Sequence, residues 1–322
     1  MKHLTKLFAL ILALAMALTL AACGGSSGND SYTVGICQLV QHEALDAATQ
    51  GFKDALTEKL GDKVKFKEGN ASGESTNCAT IVDGFLSDGV DLIMANATPA
   101  LQAAASATST IPVLATSITD YATALDIADW SGTVGTNVSG TSDLAPLDQQ
   151  AAMIQTLFPD AKTVGLLFCS AESNSVYQCT VMEGHLKEMG LAVEWFSFTD
   201  SNDITAVTEA ACAACDVIYI PTDNTAASNA EAIANVVLPA GVPVITGEEG
   251  PCKSCGVATL SISYYDIGYQ TGLMAYEILV NGADVSTMAV EFAPEVTAKY
   301  NPDNCAALGV TVPEDYVAMD LG

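Results

Sequence analysis

From position 32 onward, short apolar runs alternate with longer segments whose apolar residues recur every three or four positions. Residues 32–37 (YTVGIC) predict a strand, and Leu45, Phe52, Leu56 and Leu60 fall at helical spacing over 45–60. Strands at 64–66, 91–95 and 111–115 then alternate with helices at 77–86 and 100–107. After a Gly/Ser/Thr-rich stretch at 132–142 the pattern restarts. It predicts helices at 144–158, 176–189, 204–214 and 226–238, interleaved with strands at 163–168, 192–196, 217–220 and 243–245. Strands alternating with helices of this length imply parallel sheets with right-handed crossovers. Two series of similar length indicate an α/β protein of two doubly wound parallel-sheet lobes.

The first residues follow another logic. Lys2 and Lys6 precede an apolar run over 7–20, and Ala21 and Ala22 stand before Cys23. A basic start, a short apolar stretch and small residues describe an export signal over 1–22. The run is shorter than the roughly 20 residues that cross a bilayer as a helix. Leu20-Ala21-Ala22-Cys23-Gly24 resembles the bacterial lipobox, which implies a diacylated Cys23 as lipid anchor on the outer face of the cell membrane. Two acyl chains make such an anchor stable where one binds reversibly. Residues 23–31, with GGSSGND at 24–30, read as a flexible tether.

Charge narrows the partners. The net charge is −27, which argues against nucleic acid or an anionic lipid surface as a partner and also serves solubility. All eleven cationic residues are lysine, so no guanidinium fork is available for an anionic ligand group. A ligand carboxylate would rest on helix N-termini, backbone N–H groups or Ser, Thr and Asn side chains. A zwitterion or a neutral polar molecule fits this better than a phosphorylated ligand.

In open parallel sheets ligands sit beyond the carboxyl ends of the strands, so each strand-to-helix loop is a candidate wall. Several of these loops, in order, resemble the ABC-transporter substrate-binding lipoproteins of the tryptophan/tyrosine-binding type. The matching stretches are VGICQLVQHEALD at 34–46, TPA at 98–100, ITD at 118–120 and GTSD at 140–143. ESNS at 172–175, PTDN at 221–224 and YDIG at 265–268 continue the match. The resemblance implies a periplasmic-binding-protein fold of type I, with a three-strand hinge and an amino acid, often aromatic, as ligand. It places 32–142 with 264–295 in the first lobe and 143–263 with 296–322 in the second. It further implies an ABC permease in the membrane as partner.

The candidate contacts are Gln38, Leu39, Thr98, Asp120, Tyr121, Ser173, Asn174, Ser175, Asp223, Asn224 and Glu248. Thr98, read as N-cap before Pro99, is either a plain cap or a holder of the ligand carboxylate. The loop Glu172-Ser173-Asn174-Ser175 contributes to the pocket in the resembled family, which favours Asn174 and Ser175. One carboxylate should meet the ligand ammonium, from Asp120, Asp223 or Glu248. Asp223 is the first choice because Pro221-Thr222-Asp223-Asn224 keeps the family pattern, although Asp also caps helices well. The family has proline after the aspartate at 120, whereas Tyr121 stands here and offers a stacking face. Leu39, His42, Tyr121 and Tyr264 are candidate apolar or aromatic walls, and Trp130 and Trp195 read as packing residues.

Apart from Cys23, nine of the ten cysteines remain. Cys212/Cys215 and Cys252/Cys255 have C-x-x-C spacing, which opens a zinc or thiol-redox reading. Cys252–Cys255 or Cys169–Cys179 disulfides, or buried free thiols, are the other readings. No catalytic motif stands in the sequence, so neither an enzyme activity nor a cofactor is assigned. The leading reading is a lipid-anchored, exported solute-binding protein of an ABC importer with an aromatic amino acid as ligand. The alternatives are another small polar ligand such as a nucleoside, or a zinc or thiol-redox protein.

Overall fold

The computed structural model describes residues 31–293 and 295–321. The export signal, Cys23 and the tether up to residue 30 lie outside the described residues. The strands, in chain order, are β1 (Tyr32–Gln38), β2 (Val64–Asn70), β3 (Leu92–Asn96), β4 (Val113–Ile118) and β5 (Val138–Ser142). They continue as β6 (Thr163–Cys169), β7 (Ala192–Phe198), β8 (Val217–Ile220), β9 (Val244–Thr246) and β10 (Ala258–Ser261). The last three are the short strands β11 (Glu291–Phe292), β12 (Thr297–Tyr300) and β13 (Val317–Ala318).

Two sheets form. The first has the order β11-β5-β4-β3-β1-β2, and every pairing in it is parallel. The second has the order β13-β12-β10-β9-β8-β6-β7 and is parallel except where β12 runs antiparallel to β10. The chain passes from the first sheet to the second after Ser142, returns after Ser261, and crosses again between Phe292 and Thr297. Residues Tyr32–Gly322 make one compact unit, so the two lobes can be described together.

Both faces of each sheet are covered, which is why the strands read as continuous apolar runs. On β1, Val34 and Ile36 point into a core shared with Phe52, Leu56, Leu114 and Met274. Cys37 on the same strand faces the other core, with Cys78, Phe85, Ile93 and Leu101. The second sheet repeats this: Leu166 and Phe168 join Met182 and Tyr219, while Leu167 meets Ile218 and Ile233.

Strand β5 was hidden in the small polar stretch at 132–142. Its residues are fully buried, yet Ser139, Thr141 and Ser142 replace the apolar positions a strand pattern needs. They are tolerated because each hydroxyl has a partner: Thr141 meets Thr116 and Thr271, Ser139 donates to Met288 O, and Ser142 donates to Thr119 O. Gly140 is required there, since a Cβ would sit 1.9 Å from Ala115 O and φ is +145°. The helix expected over 226–238 is broken at Asn229 into Asn224–Ser228 and Ala230–Ala240.

The returning helix Tyr264–Asn281 lies backbone to backbone against the helix Glu43–Leu60. A Cβ on Gly268 would fall 2.0 Å from Ala48 O, and one on Gly51 would fall 2.1 Å from Tyr265 O. Neither partner is a side-chain tip that could swing aside. Gly268→Ala is therefore expected to cost about 1–3 kcal/mol by overpacking. Thermal denaturation of the ligand-free protein checks this; an unchanged melting temperature would mean the helices part freely.

Candidate ligand-binding site

The carboxyl ends of β1, β4, β6, β8 and β9 face one another across the two lobes, and their following loops close tightly around a small pocket. The first lobe contributes His42, Leu45, Ser117 and Thr119, and the second Asn174, Thr222, Asn224 and Glu248. Asp143 and Tyr264 reach in from the chain crossings. The lobes touch around this space. His42 Nε2 meets Asn224 Oδ1 at 3.2 Å, Gln178 Nε2 donates to Thr119 Oγ1 at 3.4 Å, and Lys253 pairs with Glu43.

Glu248 is the residue out of balance. It is 2% exposed, and neither carboxylate oxygen has a hydrogen-bond partner. Burial first, then the charges of Asp143, Asp223, Glu172 and Glu43, push its carboxyl well above the usual carboxylate range. Asp143 is raised to about 6 by burial, against hydrogen bonds from Tyr264 at 2.9 Å and Thr119 at 3.1 Å. No lysine stands among the residues lining the cavity. Burial also holds His42 below its ordinary value, against the hydrogen bond to Asn224 and the nearby carboxylates.

Two further buried polar atoms on the lining have no partner, Ser117 Oγ and Asn174 Oδ1. The orientation of Asn174 is fixed chemically. Its Nδ2 faces Glu172 Oε2 at 3.3 Å and Thr222 O at 3.1 Å, both acceptors, so its carbonyl oxygen is the free atom. Ser117 has φ +58°, a left-handed backbone uncommon for a residue with a Cβ. Strain of that kind gathers at ligand clamps. The free groups are thus a carboxylate, an amide oxygen and a hydroxyl. Their acceptors match the donors of an ammonium group, and the hydroxyl is a donor of the kind a carboxylate needs.

Of the residues expected from sequence, Asn174, Asn224 and Glu248 line this cavity, as do His42 and Tyr264 among the candidate walls. Asp223, the first choice for the ammonium, has both oxygens occupied: Cys169 N–H donates to one at 2.6 Å and Ala226 N–H to the other at 2.7 Å. It caps the helix Asn224–Ser228 and ties it to β6. Ser175 supports it with its hydroxyl, and Ser173 starts the helix Ser173–Glu188 half-exposed. Asp120 likewise caps the helix Tyr121–Leu125 through Thr123 N–H at 2.7 Å.

Tyr121 turns inward rather than into the cavity. Its hydroxyl bonds Ala115 O and Thr141 O, and its ring packs in the first-lobe core beside Trp130. Thr98 is the first residue of its helix rather than the cap, which is Ala97 with φ +86°; Thr98 is buried and does not line the cavity. Gln38 is engaged with Val40 O, Asp46 and Thr49, and Leu39 packs in the first-lobe core.

Sequence reasoning passed over Glu172 and Asp143 as site residues. Glu172 receives the N–H and side chains of Asn224 and Thr225 at 2.6–3.1 Å, so it organises the second-lobe wall. A Glu just before a predicted helix was the signal available for it. Ser117 and Thr119 stood in or next to a predicted loop but without a charge to mark them. The C-x-x-C pairs build no centre: among the described residues no group of three or more His, Cys, Asp or Glu is placed to hold a metal ion.

Residues 33–319 match the family model for ABC transporter substrate binding proteins. A tyrosine-binding protein of Clostridioides difficile (strain R20291) is 34% identical over 278 residues, 85% of this chain and 80% of that protein. Among solved structures, a domain from Streptococcus pneumonia in complex with L-Trp superposes with a TM-score of 0.85 at 31% identity, covering 89% of this chain and 99% of that one. A ligand-free, open substrate binding protein with adhesive properties from Clostridium difficile gives 0.68 at 34% identity, with the same coverage. The less identical, ligand-bound relative fits better, in keeping with the touching lobes seen here. The fold is that of the type I periplasmic binding proteins, and the chain works outside the cytoplasm as a binding protein rather than an enzyme. No helix among the described residues is long and apolar enough to cross a membrane. This chain belongs to the family of ABC transporter substrate binding proteins.

Proposed function

We propose that the protein captures an aromatic amino acid, tyrosine or tryptophan, in the cavity between its lobes and presents it to an ABC permease while anchored through Cys23. The observation that carries this reading is the unpartnered, buried carboxylate of Glu248 in a cavity without a lysine. An α-ammonium group supplies the missing positive charge and up to three donors, for Glu248 and the Asn174 carbonyl. The ligand carboxylate takes the Ser117 hydroxyl. His42, Leu45 and Tyr264 offer flat and apolar surface to a ring. The named ligands of the tyrosine-binding and L-Trp-bound relatives support an aromatic side chain.

Isothermal titration with tyrosine and tryptophan tests the contact. Glu248→Gln is expected to weaken binding by about 2–5 kcal/mol, at least ~30-fold in Kd, while the ligand-free variant melts no lower than the parent. Asp223→Ala, by contrast, should lower the melting temperature, because a cap is worth about 0.5–2 kcal/mol. If neither tyrosine, tryptophan nor phenylalanine binds the parent protein, the aromatic assignment is wrong.

Acidity gives a second check. Asp143, Asp223 and Glu248 all have carboxyls raised in the closed form, so that form holds protons which the unfolded chain gives up near pH 4. Their contribution to ligand-free stability is complete below that pH and is lost as pH rises through about 6 for Asp143 and about 7 for Asp223. An ammonium ligand needs the deprotonated carboxylate, so affinity should rise from pH 5 to pH 8 and binding near pH 6 should release protons. Titrations in buffers of differing ionisation enthalpy measure that release. A Kd flat across this range would remove the carboxylate–ammonium contact.

For the anchor, metabolic labelling with a radioactive fatty acid should mark the parent protein in the producing cells. Cys23→Ala should lose the label; label retained on the variant would place the acyl chains elsewhere.

A further inference from the structure

Cys37 and Cys78 stand 41 positions apart in sequence yet meet inside the first lobe. Cys37 ends the apolar run of β1, one residue before the strand closes, and Cys78 lies in the first turn of the helix Ser75–Asp88 that covers this face of the sheet. Both side chains are fully buried in one apolar cluster, with Phe85, Ile93 and Leu101 around them. Cys37 Sγ lies 4.0 Å from the Cys78 carbonyl oxygen, and each thiol is the largest influence on the other's acidity. No other polar group competes for either sulfur among the contacts described.

We infer that Cys37 and Cys78 are a modification site: an exported chain in an oxidising milieu closes them into a disulfide that staples the helix Ser75–Asp88 to β1. The chemistry is a two-electron thiol–disulfide exchange with a small or protein disulfide as oxidant. The Cys78 thiolate attacks one sulfur of the oxidant, whose S–S bond breaks and releases the first thiol. The Cys37 thiolate then attacks the Cys78 sulfur of that mixed disulfide and expels the second thiol. Two protons pass from the protein thiols to the leaving thiolates, so the protein is oxidised and the oxidant becomes two thiols. Burial confines the exchange to folding, or to moments when the helix lifts from the sheet.

The other cysteines compare poorly. Cys212–Cys215 and Cys252–Cys255 would each close only a local ring, which removes far less chain freedom from the unfolded state than a link across 41 positions. Cys255 is already committed to Pro251 O at 3.3 Å, and Cys305 to Val257 O at 3.3 Å. Cys169 and Cys179 lie in different cores of the second lobe, so the bridge considered from sequence is not formed by packing. The functional stake of the Cys37–Cys78 link is positional. Cys37 precedes the loop that carries His42 into the ligand cavity, and Cys78 holds the helix whose start, with Gly73 and Glu74, forms the outer rim between the lobes.

The test uses the full chain equilibrated with mixtures of reduced and oxidised glutathione, trapped by alkylation and mapped without reduction by mass spectrometry. The expected product is a peptide pair joined through Cys37 and Cys78, two hydrogens lighter than the sum of its parts, with both residues protected from alkylation. The oxidised protein should melt roughly 5–10 °C above its reduced form. In Cys37→Ser/Cys78→Ser the difference between oxidised and reduced samples should vanish. The peptide map of the parent protein stands even if that variant folds poorly. Cys37 and Cys78 remaining alkylatable under oxidising mixtures, or appearing only as glutathione adducts or in pairs with other cysteines, would overturn the inference.

Discussion

Like charges converge at the centre of this molecule. Asp143, Glu172, Asp223 and Glu248 act on one another within a space that contains no lysine, and arginine is absent from the chain. In water such carboxylates would scarcely notice one another. Inside a closed cleft the same separation is worth several times more, because less solvent screens it. Three of the four are quieted by the protein itself. Glu172 and Asp223 are wrapped in backbone and amide donors, and Asp143 receives two hydroxyls. Glu248 alone receives nothing, so closure without a cationic partner leaves one buried charge uncompensated or forces it to take up a proton.

The rest of the fold serves that imbalance. Parallel strands end together and their helices start together, so the loops deliver backbone donors and short polar side chains to one place. On the proposed function, those helix starts let a cleft without a single guanidinium receive a zwitterion, its positive end on Glu248 and Asn174 and its negative end on neutral donors. Close packing of Gly51 and Gly268 seats the returning helix deeply enough for Tyr264, its first residue, to reach Asp143. A bulkier seam would lift that helix and with it the hydroxyl that steadies the crossing.

The alternation of strands and helices was legible because both sheet faces are covered by apolar cores. It failed where burial is achieved by other means. β5 is built of polar residues whose hydroxyls are partnered, so it looks polar in sequence, and the short helix before the break at Asn229 starts with Asn224 and Thr225 held by Glu172. The site was legible as a set of loops but not as a set of contacts. Asp223 and Glu248 are both acids at strand ends. What separates them is whether two N–H groups point at the carboxylate, and that is decided by the end of β6, 54 positions away at Cys169, as much as by local sequence. Tyr121 shows the same limit, since its hydroxyl finds two carbonyls that only the paired strands β4 and β5 bring together.

Closure and selectivity then have one physical origin. The first lobe brings Ser117 and His42 to the cavity, and the second brings Asn174 and Glu248. A molecule that lacks the positive charge leaves the Glu248 carboxylate buried and unpaired, so it binds the second lobe without favouring the closed arrangement. A molecule that lacks the rest of the amino-acid frame satisfies Glu248 but gives the first lobe nothing to hold. Only a ligand carrying both spans the two, and a conformational equilibrium shifts no further than the difference in a ligand's affinity for its two states. On the proposed function, the buried acid makes the closed form costly when empty and favourable when filled, the condition under which a permease could distinguish a loaded receptor from an unloaded one.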